Sequence, residues 1–98
     1  MAGAEVTIPP TAFAIRLLLV FPADSFASYD LTLETGNGIR TWRRQGVQGR
    51  GVRGGSEQIA VQLPSHIFEN GYYVLRVTAR NDQKIEDVAA YSFQVVRR

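Results

Sequence analysis

Apolar and polar residues alternate along most of this chain, and a period of two predicts strands in nearly every segment. The first strand is expected over Glu5–Ile8, and Pro9-Pro10 stops it. The odd-numbered residues of Phe13–Phe21 are all apolar and are assigned to one face of the second strand. In Tyr29–Glu34 the odd-numbered residues are again apolar, so we expect them to face inward and the polar residues between them, Asp30 included, to face outward.

Turn signals divide the middle of the chain. Gly36-Asn37-Gly38 predicts a tight hairpin with a primed turn, because Asn-Gly accepts the positive φ that such a turn requires. Ile39–Arg44 is then the returning strand. Glu57–Leu63 alternates once more and ends at Pro64, which gives a fifth strand.

A corner is expected between the fifth and sixth strands. Ser65 is predicted to cap one helical turn through Phe68, and Asn70-Gly71 to end that turn. Beyond the glycine the odd-numbered residues are inward, and Tyr73 is the first of them. We expect the Tyr73 ring to be buried and its hydroxyl to bond to the backbone of the corner.

The fold class follows from the number and spacing of these segments. Asn81–Asp87 is predicted to be a polar turn, and Tyr91–Val95 lies in the last strand. Seven short strands without a helix longer than one turn predict an all-β, seven-stranded antiparallel sandwich, as a single domain over residues 1–98. A small β-barrel is the alternative. The most apolar stretch, Ala12–Ala23, is shorter than the roughly 20 residues that a membrane helix needs, so it is assigned to a buried strand.

Composition narrows the possible chemistry. The 98 residues are 45% hydrophobic and 20% charged, with a net charge of +2, as in a folded globular domain. Because the chain has no cysteine, it has no disulfide, thiolate nucleophile or cysteine-based zinc site. His66 is the single histidine, and Glu86-Asp87 are adjacent carboxylates in an expected turn. We predict neither an enzyme nor a cofactor or metal site.

The stretch "WRRQGVQGRGVRGG" at residues 42–55 allows two interpretations. An aromatic ring beside guanidinium groups can stack on bases or sugars and pair with phosphates. Alternatively, Trp42 helps to cover the core, and Gly46–Gly55 is a mobile, dispensable crossover between sheets. We favour the crossover and expect no specific nucleic acid. The residues assigned to a candidate partner-binding set are Trp42, Arg43, Arg44, Arg50, Arg53 and Tyr72, and within it Trp42 and Tyr72 are a candidate carbohydrate platform.

Two segments carry a resemblance to a known family. Gly71-Tyr72-Tyr73-Val74-Leu75-Arg76-Val77 after Leu63-Pro64, followed by Tyr91-Ser92-Phe93-Gln94-Val95, resembles the second half of an immunoglobulin-like or fibronectin-III-like domain. In such domains a tyrosine near the start of the sixth strand anchors the preceding corner, and Tyr73 occupies that place, with Gly71 before it. The pattern is similar to extracytoplasmic Ig-like domains of bacterial membrane-anchored proteins, some of them anti-sigma-factor-like. Cysteines and a membrane helix of such proteins are missing here, so sigma-factor binding is not carried over.

These observations predict a non-catalytic interaction or structural module of a larger bacterial envelope protein. A protein partner is expected, with the loops at Asp24–Phe26 and Asn81–Glu86 as one place for it. Carbohydrate binding and weak nucleic-acid binding through the Gly/Arg stretch stay open. An extracytoplasmic location follows from the resemblance and a cytoplasmic one stays open, with membrane attachment only through a segment outside these residues. Pairing of two copies through an edge strand is a further possibility.

Overall fold

The computed structural model describes residues 4–22, 28–52, 56–81 and 84–98, and strands dominate all four ranges. Within these ranges the single helical element is a 3-10 turn at Ser65–Ile67. The strands are β1 (Ala4–Ile8), β2 (Ala14–Pro22), β3 (Ser28–Thr35), β4 (Arg40–Val47), β5 (Arg50–Val52), β6 (Ser56–Pro64), β7 (Gly71–Asn81) and β8 (Lys84–Arg97). The all-β prediction is therefore confirmed. In the described residues no helix is long and apolar enough to cross a membrane.

The strands form two sheets. The larger has the order β1-β8-β7-β3-β4, and the smaller has the order β2-β6-β5. They do not close on each other, so the barrel alternative is wrong. The prediction of a wholly antiparallel fold is also wrong, because β1 runs parallel to β8, with Ala4 opposite Phe93 and Ile8 opposite Arg97. The described ranges contain eight strands instead of seven, since β5 arises within the Gly/Arg stretch.

The core lies between the two sheets and is built from the alternating residues that the sequence assigns inward. β3 contributes Leu31 and Leu33, and β6 contributes Val61 and Leu63, all almost fully buried. Aromatic rings fill both ends of the layer: Phe21 packs edge-on against Tyr29 with ring centroids 5.1 Å apart. Because edge-to-face pairs add to the free energy gained by area burial, these rings help to fix how the sheets stack.

Several local predictions are wrong. Lys84–Asp87 is not a turn but the start of β8, where Glu86 lies opposite Ala79 of β7. Phe13 precedes β2 and is 87% exposed, so it does not share the inward face. The hairpin at Gly36–Gly38 is present, but the Thr35 backbone N–H donates to the Ile39 carbonyl, and the Ile39 N–H donates to the Thr35 hydroxyl oxygen. The loop therefore has three residues in place of a two-residue primed turn.

Candidate functional site

The corner before β7 is organised around Tyr73. Its ring is 4% exposed and packs against Phe68 and Phe93, with centroids 5.2 and 6.1 Å away. The hydroxyl accepts a hydrogen bond of 2.8 Å from the backbone N–H of Glu69. Gly71 has φ of +142°, which disfavours residues with a side chain. The predicted burial and backbone bond of Tyr73 are confirmed.

The same corner is hydrogen-bonded to the segment before β2 and to the last residue of β8. The Arg97 guanidinium donates to the carbonyl oxygens of Ser65 and Phe68, at 2.6 and 3.0 Å, and the Asn70 side chain accepts from the Arg97 backbone N–H. Ser65 does not cap the turn: Pro64 is the N-cap, and the Ser65 hydroxyl donates to the carbonyl of Ala12 at 2.8 Å. The corner is thus a structural junction whose polar groups bond to each other.

The Gly/Arg stretch does cross from one sheet to the other, as predicted, but it is not a free loop. β4 continues to Val47 in the larger sheet, and Arg50–Val52 pairs with β6 in the smaller one. At Gly49 a Cβ atom would lie 2.6 Å from a carboxylate oxygen of Glu57 and 3.2 Å from the Tyr29 ring. The Tyr29 hydroxyl donates to that carboxylate and links the two sheets at this point. A side chain at Gly49 would therefore make the Glu57 carboxylate move from its place beside Tyr29.

A second polar junction lies where β3 meets the end of β4. Asp30 is only 5% exposed, against the prediction that it faces solvent. Its carboxylate accepts from the Gly46 backbone N–H at 3.1 Å and from Arg80 at 2.9 Å. The register between β3 and β4 shifts here, so a bulge brings the Gly46 N–H to the carboxylate. Arginine neutralises the buried acid, and the junction is structural.

The predicted partner-binding residues that the structure describes do not form one site. Trp42 lies opposite inward-facing Leu33, whereas Tyr72 is on the outer face of the same sheet and is 67% exposed. The two aromatic rings are on opposite faces, so the proposed carbohydrate platform of this pair is wrong. Arg43 lies opposite Thr32 on the outer face, and Arg50 belongs to the smaller sheet.

Arg44 and Trp42 form one local unit. Arg44 lies opposite Leu31 on the inward side of the edge strand β4, and its Cζ is 5.6 Å from the Trp42 ring centroid. Trp42 is half-buried and packs against the core, which confirms its predicted covering role. Together with exposed Phe13 and Gln62, the pair lines a shallow groove of about 500 Å³. The Arg44 guanidinium makes a cation–π contact with Trp42 of the same chain. Arg53 lies outside the described residues, as do the loop residues Asp24–Phe26.

Sequence reasoning missed the outer face of the smaller sheet. β2 is expected to be buried, yet only one of its faces is: Leu18 is 57% exposed and Val20 is 49% exposed. Leu18 lies opposite Ala60 of β6, which is also exposed, so the three side chains form an apolar strip. Arg16 lies at one end, and Arg50, which pairs with Gln58 beside Val20, lies at the other. We call these five residues the small-sheet patch. The signal was available in the run Leu17-Leu18-Leu19-Val20, which is apolar on both faces.

An apolar cavity of about 360 Å³ opens beside β2, between the edges of the two sheets. Leu17 and Leu19 of β2 line one wall, and Tyr91 and Phe93 of β8 line the opposite wall. The Tyr91 hydroxyl donates to the Val20 carbonyl across the opening at 2.8 Å. Burial raises the pKa of Tyr91, because the surrounding apolar groups disfavour the phenolate.

The acid–base candidates of the sequence all lie at exposed positions. His66 is exposed in the corner turn, and Glu86 and Asp87 are exposed on β8. Among the described residues no group of three or more His, Asp and Glu side chains is placed to hold a metal ion. Comparisons of the chain with protein-family models, with curated proteins and with solved structures returned no match. The candidate site therefore rests on surface chemistry, and the small-sheet patch with its adjoining cavity is the strongest feature.

Proposed function

We propose that this chain is a non-catalytic, Ig-like interaction module of a larger bacterial envelope protein, and that it binds a protein partner through the small-sheet patch. The observation that carries this function is the exposed apolar strip of Leu18, Val20 and Ala60 in the middle of a sheet face. Contiguous apolar surface with a polar rim is typical of protein contact sites.

The strand order supports an Ig-like architecture. In Ig-like domains the second, fifth and fourth strands form one sheet, and the third, sixth and seventh belong to the other. Here β2, β6 and β5 are adjacent, as are β3, β7 and β8, with β4 beside β3. The Tyr73 corner fits the same arrangement. The extracytoplasmic location comes from the resemblance alone and is part of the proposal.

The chemistry of the patch indicates the kind of partner. Its centre is aliphatic, and both flanking charges are positive, Arg16 and Arg50. A partner segment with apolar side chains between acidic ones would match it, because arginine pairs well with carboxylates at the rim of a contact. The bases or sugars of a nucleic acid would find no aromatic platform there, which makes a protein the better fit.

Site-specific photo-crosslinking in bacterial envelope preparations tests this function. A photo-reactive residue at Ala60 lies in the centre of the patch, and the same residue at Tyr72, on the outer face of the larger sheet, is the control. We expect a discrete crosslinked protein from position 60 that is not obtained from position 72. The substitution Val20→Asp should remove it. Equal crosslinking from the two positions, or none from position 60, would contradict the proposal.

A further inference from the structure

The hydrogen bonds of β2 show which of its backbone groups point to the free edge of the strand. β2 is the last strand of the smaller sheet, and in the described ranges it pairs only with β6. The Val20 carbonyl accepts from Tyr91 of the opposite sheet, so the peptide groups of Val20 point away from β6. Because this direction alternates along an antiparallel strand, Leu18 and Arg16 also present their N–H and C=O groups to the open edge. Phe13 is an odd number of residues from Val20, so its carbonyl should point to the opposite side. It does, since it accepts from the Ser65 N–H on the β6 side.

Apolar side chains lie on both faces of this edge. Leu18 and Val20 are exposed on the outer face, while Leu17 and Leu19 line the cavity on the inner face. Edge strands of natural proteins are commonly protected by inward-pointing charges, by proline or by shortness. β2 has nine residues, so it is not short. Its one charged residue, Arg16, and its proline lie on either side of Leu17–Phe21, and none of these five residues is charged or proline. A strand added here would extend the sheet and cover apolar surface on both faces.

We propose that the occupant of this edge is β2 of a second copy of the chain, paired antiparallel about a two-fold axis at Leu18. The proposal goes beyond partner binding at the small-sheet patch and does not depend on it. Residues whose peptide groups face the open edge must lie opposite each other, so even-numbered residues pair with even-numbered residues, and the two-fold axis can lie at any residue of the strand. Only the register centred on Leu18 pairs all nine residues of Ala14–Pro22.

Side-chain chemistry is compatible with the register that strand length selects. With Leu18 opposite Leu18 of the second copy, Arg16 lies opposite Val20, and no like charges face each other across the strands. The register centred on Arg16 would place two guanidiniums directly opposite, which is destabilising. The register centred on Val20 would leave the first four residues of the strand without partners. A strand that is complementary to itself in both length and charge fits an isologous dimer.

The proposed contact uses groups already in place. Leu18 of each copy donates its N–H to the Leu18 carbonyl of the other, and Arg16 exchanges the same two bonds with Val20. The Val20 carbonyl has a second lone pair beside the one that accepts from Tyr91. On the inner face Leu17 lies opposite Leu19 of the second copy, so the two cavities share an apolar wall. The result is a continuous six-stranded sheet.

Cysteine crosslinking reads the register directly, since the natural chain has no cysteine. Hydrogen-bonded residues that face each other have Cα atoms about 5.5 Å apart, which a disulfide can span. Oxidised Leu18→Cys protein should therefore form covalent dimers. Arg16→Cys alone and Val20→Cys alone should not, because each position lies about 14 Å from its own copy along the strand. A mixture of those two variants should crosslink to each other.

Sedimentation of the native chain over a concentration series supplies the second measurement. Wild type should show a monomer–dimer equilibrium, and Leu18→Lys should be monomeric because two ammonium groups would face each other. Ile39→Lys is the matched control: Ile39 is 62% exposed on the distant hairpin, so this variant should dimerise like wild type. Circular dichroism verifies that both variants are folded.

Three results would overturn the dimer. The first is wild-type protein that stays monomeric up to millimolar concentration, with Leu18→Cys oxidising no faster than Ile39→Cys. The second is crosslinking of Arg16→Cys to itself, which would show another register. The third is crosslinking of Leu18→Cys only to other proteins, which would show a heterologous strand at this edge. Crosslinking from Ala60 tests the proposed function separately, because that residue lies on β6, away from the edge.

Discussion

Removing the hydroxyl of Tyr73 should destabilise the domain far more than removing that of its neighbour Tyr72. Tyr73→Phe keeps the ring packing against Phe68 and Phe93 but deletes the acceptor of the Glu69 N–H. A hydrogen bond contributes about 0.5–1.5 kcal/mol net, and a buried donor left without a partner costs about 1–3 kcal/mol. Because this N–H is partly buried, we expect a loss of about 1–2 kcal/mol, a substantial share of the roughly 5–15 kcal/mol that stabilises a typical domain.

Urea unfolding followed by tryptophan fluorescence measures this loss, since Trp42 is the single tryptophan. With a slope of about 2 kcal/mol per molar urea, the midpoint of Tyr73→Phe should fall by about 0.5–1 M at an unchanged slope. Tyr72→Phe is the control, because that side chain is 67% exposed and exposed substitutions usually change stability by less than about 0.5 kcal/mol. Equal midpoints for the two variants, or a larger effect at Tyr72, would refute the assignment of the corner.

Three further predictions concern the polar junctions and the cavity. Gly49→Ala should lower the unfolding free energy by about 0.5–1.5 kcal/mol, because its Cβ displaces the carboxylate that Tyr29 binds; Gly36→Ala, whose Cβ makes only a 3.4 Å contact, should be tolerated in the same urea assay. Asp30→Ala should cost about 1–3 kcal/mol, since the Gly46 N–H loses its acceptor, and stability equal to wild type would contradict the junction. Tyr91 should ionise above its ordinary pKa of about 10 in a titration of its ring carbon signals by NMR. The unfolded chain then ionises first, so stability from this group should be present below pH 10 and lost as pH rises above it, a loss that Tyr91→Phe should abolish.

Most of the correct predictions came from the alternation of apolar and polar residues within single strands. A strand buries every second side chain whatever its partners are, so the inward sets of β3, β6 and β7 could be identified from spacing alone. The same parity placed Tyr73 in the core, and the turn residues before it indicated its backbone partner. For β2 the method reached its limit, because a run that is apolar at every position does not distinguish an edge strand from a central one.

The candidate site was not predictable in the same way. The arginines at 43, 44 and 50 are close in sequence. Arg43 and Arg44 nevertheless lie on opposite faces of β4, because side chains alternate along a strand, and Arg50 lies in the other sheet. The small-sheet patch joins residues 16, 18 and 20 to residues 50 and 60, which meet only because β2, β5 and β6 pair. Such pairing depends on contacts far apart in sequence, for which spacing within one segment carries no information.

The sequence by itself determined that this protein is a small all-β domain with a tyrosine-anchored corner and a glycine-rich crossover, because these features follow from alternation and turn residues. Tertiary structure decided that β1 joins β8 in parallel, that Asp30 is buried under a bulge, and that Gly49 lies against the Glu57 carboxylate. It also decided that β2 ends its sheet with apolar residues on both faces. The reason is that hydrogen-bond partners and sheet edges are chosen by the whole chain, whereas the side to which a residue points is set by its own strand.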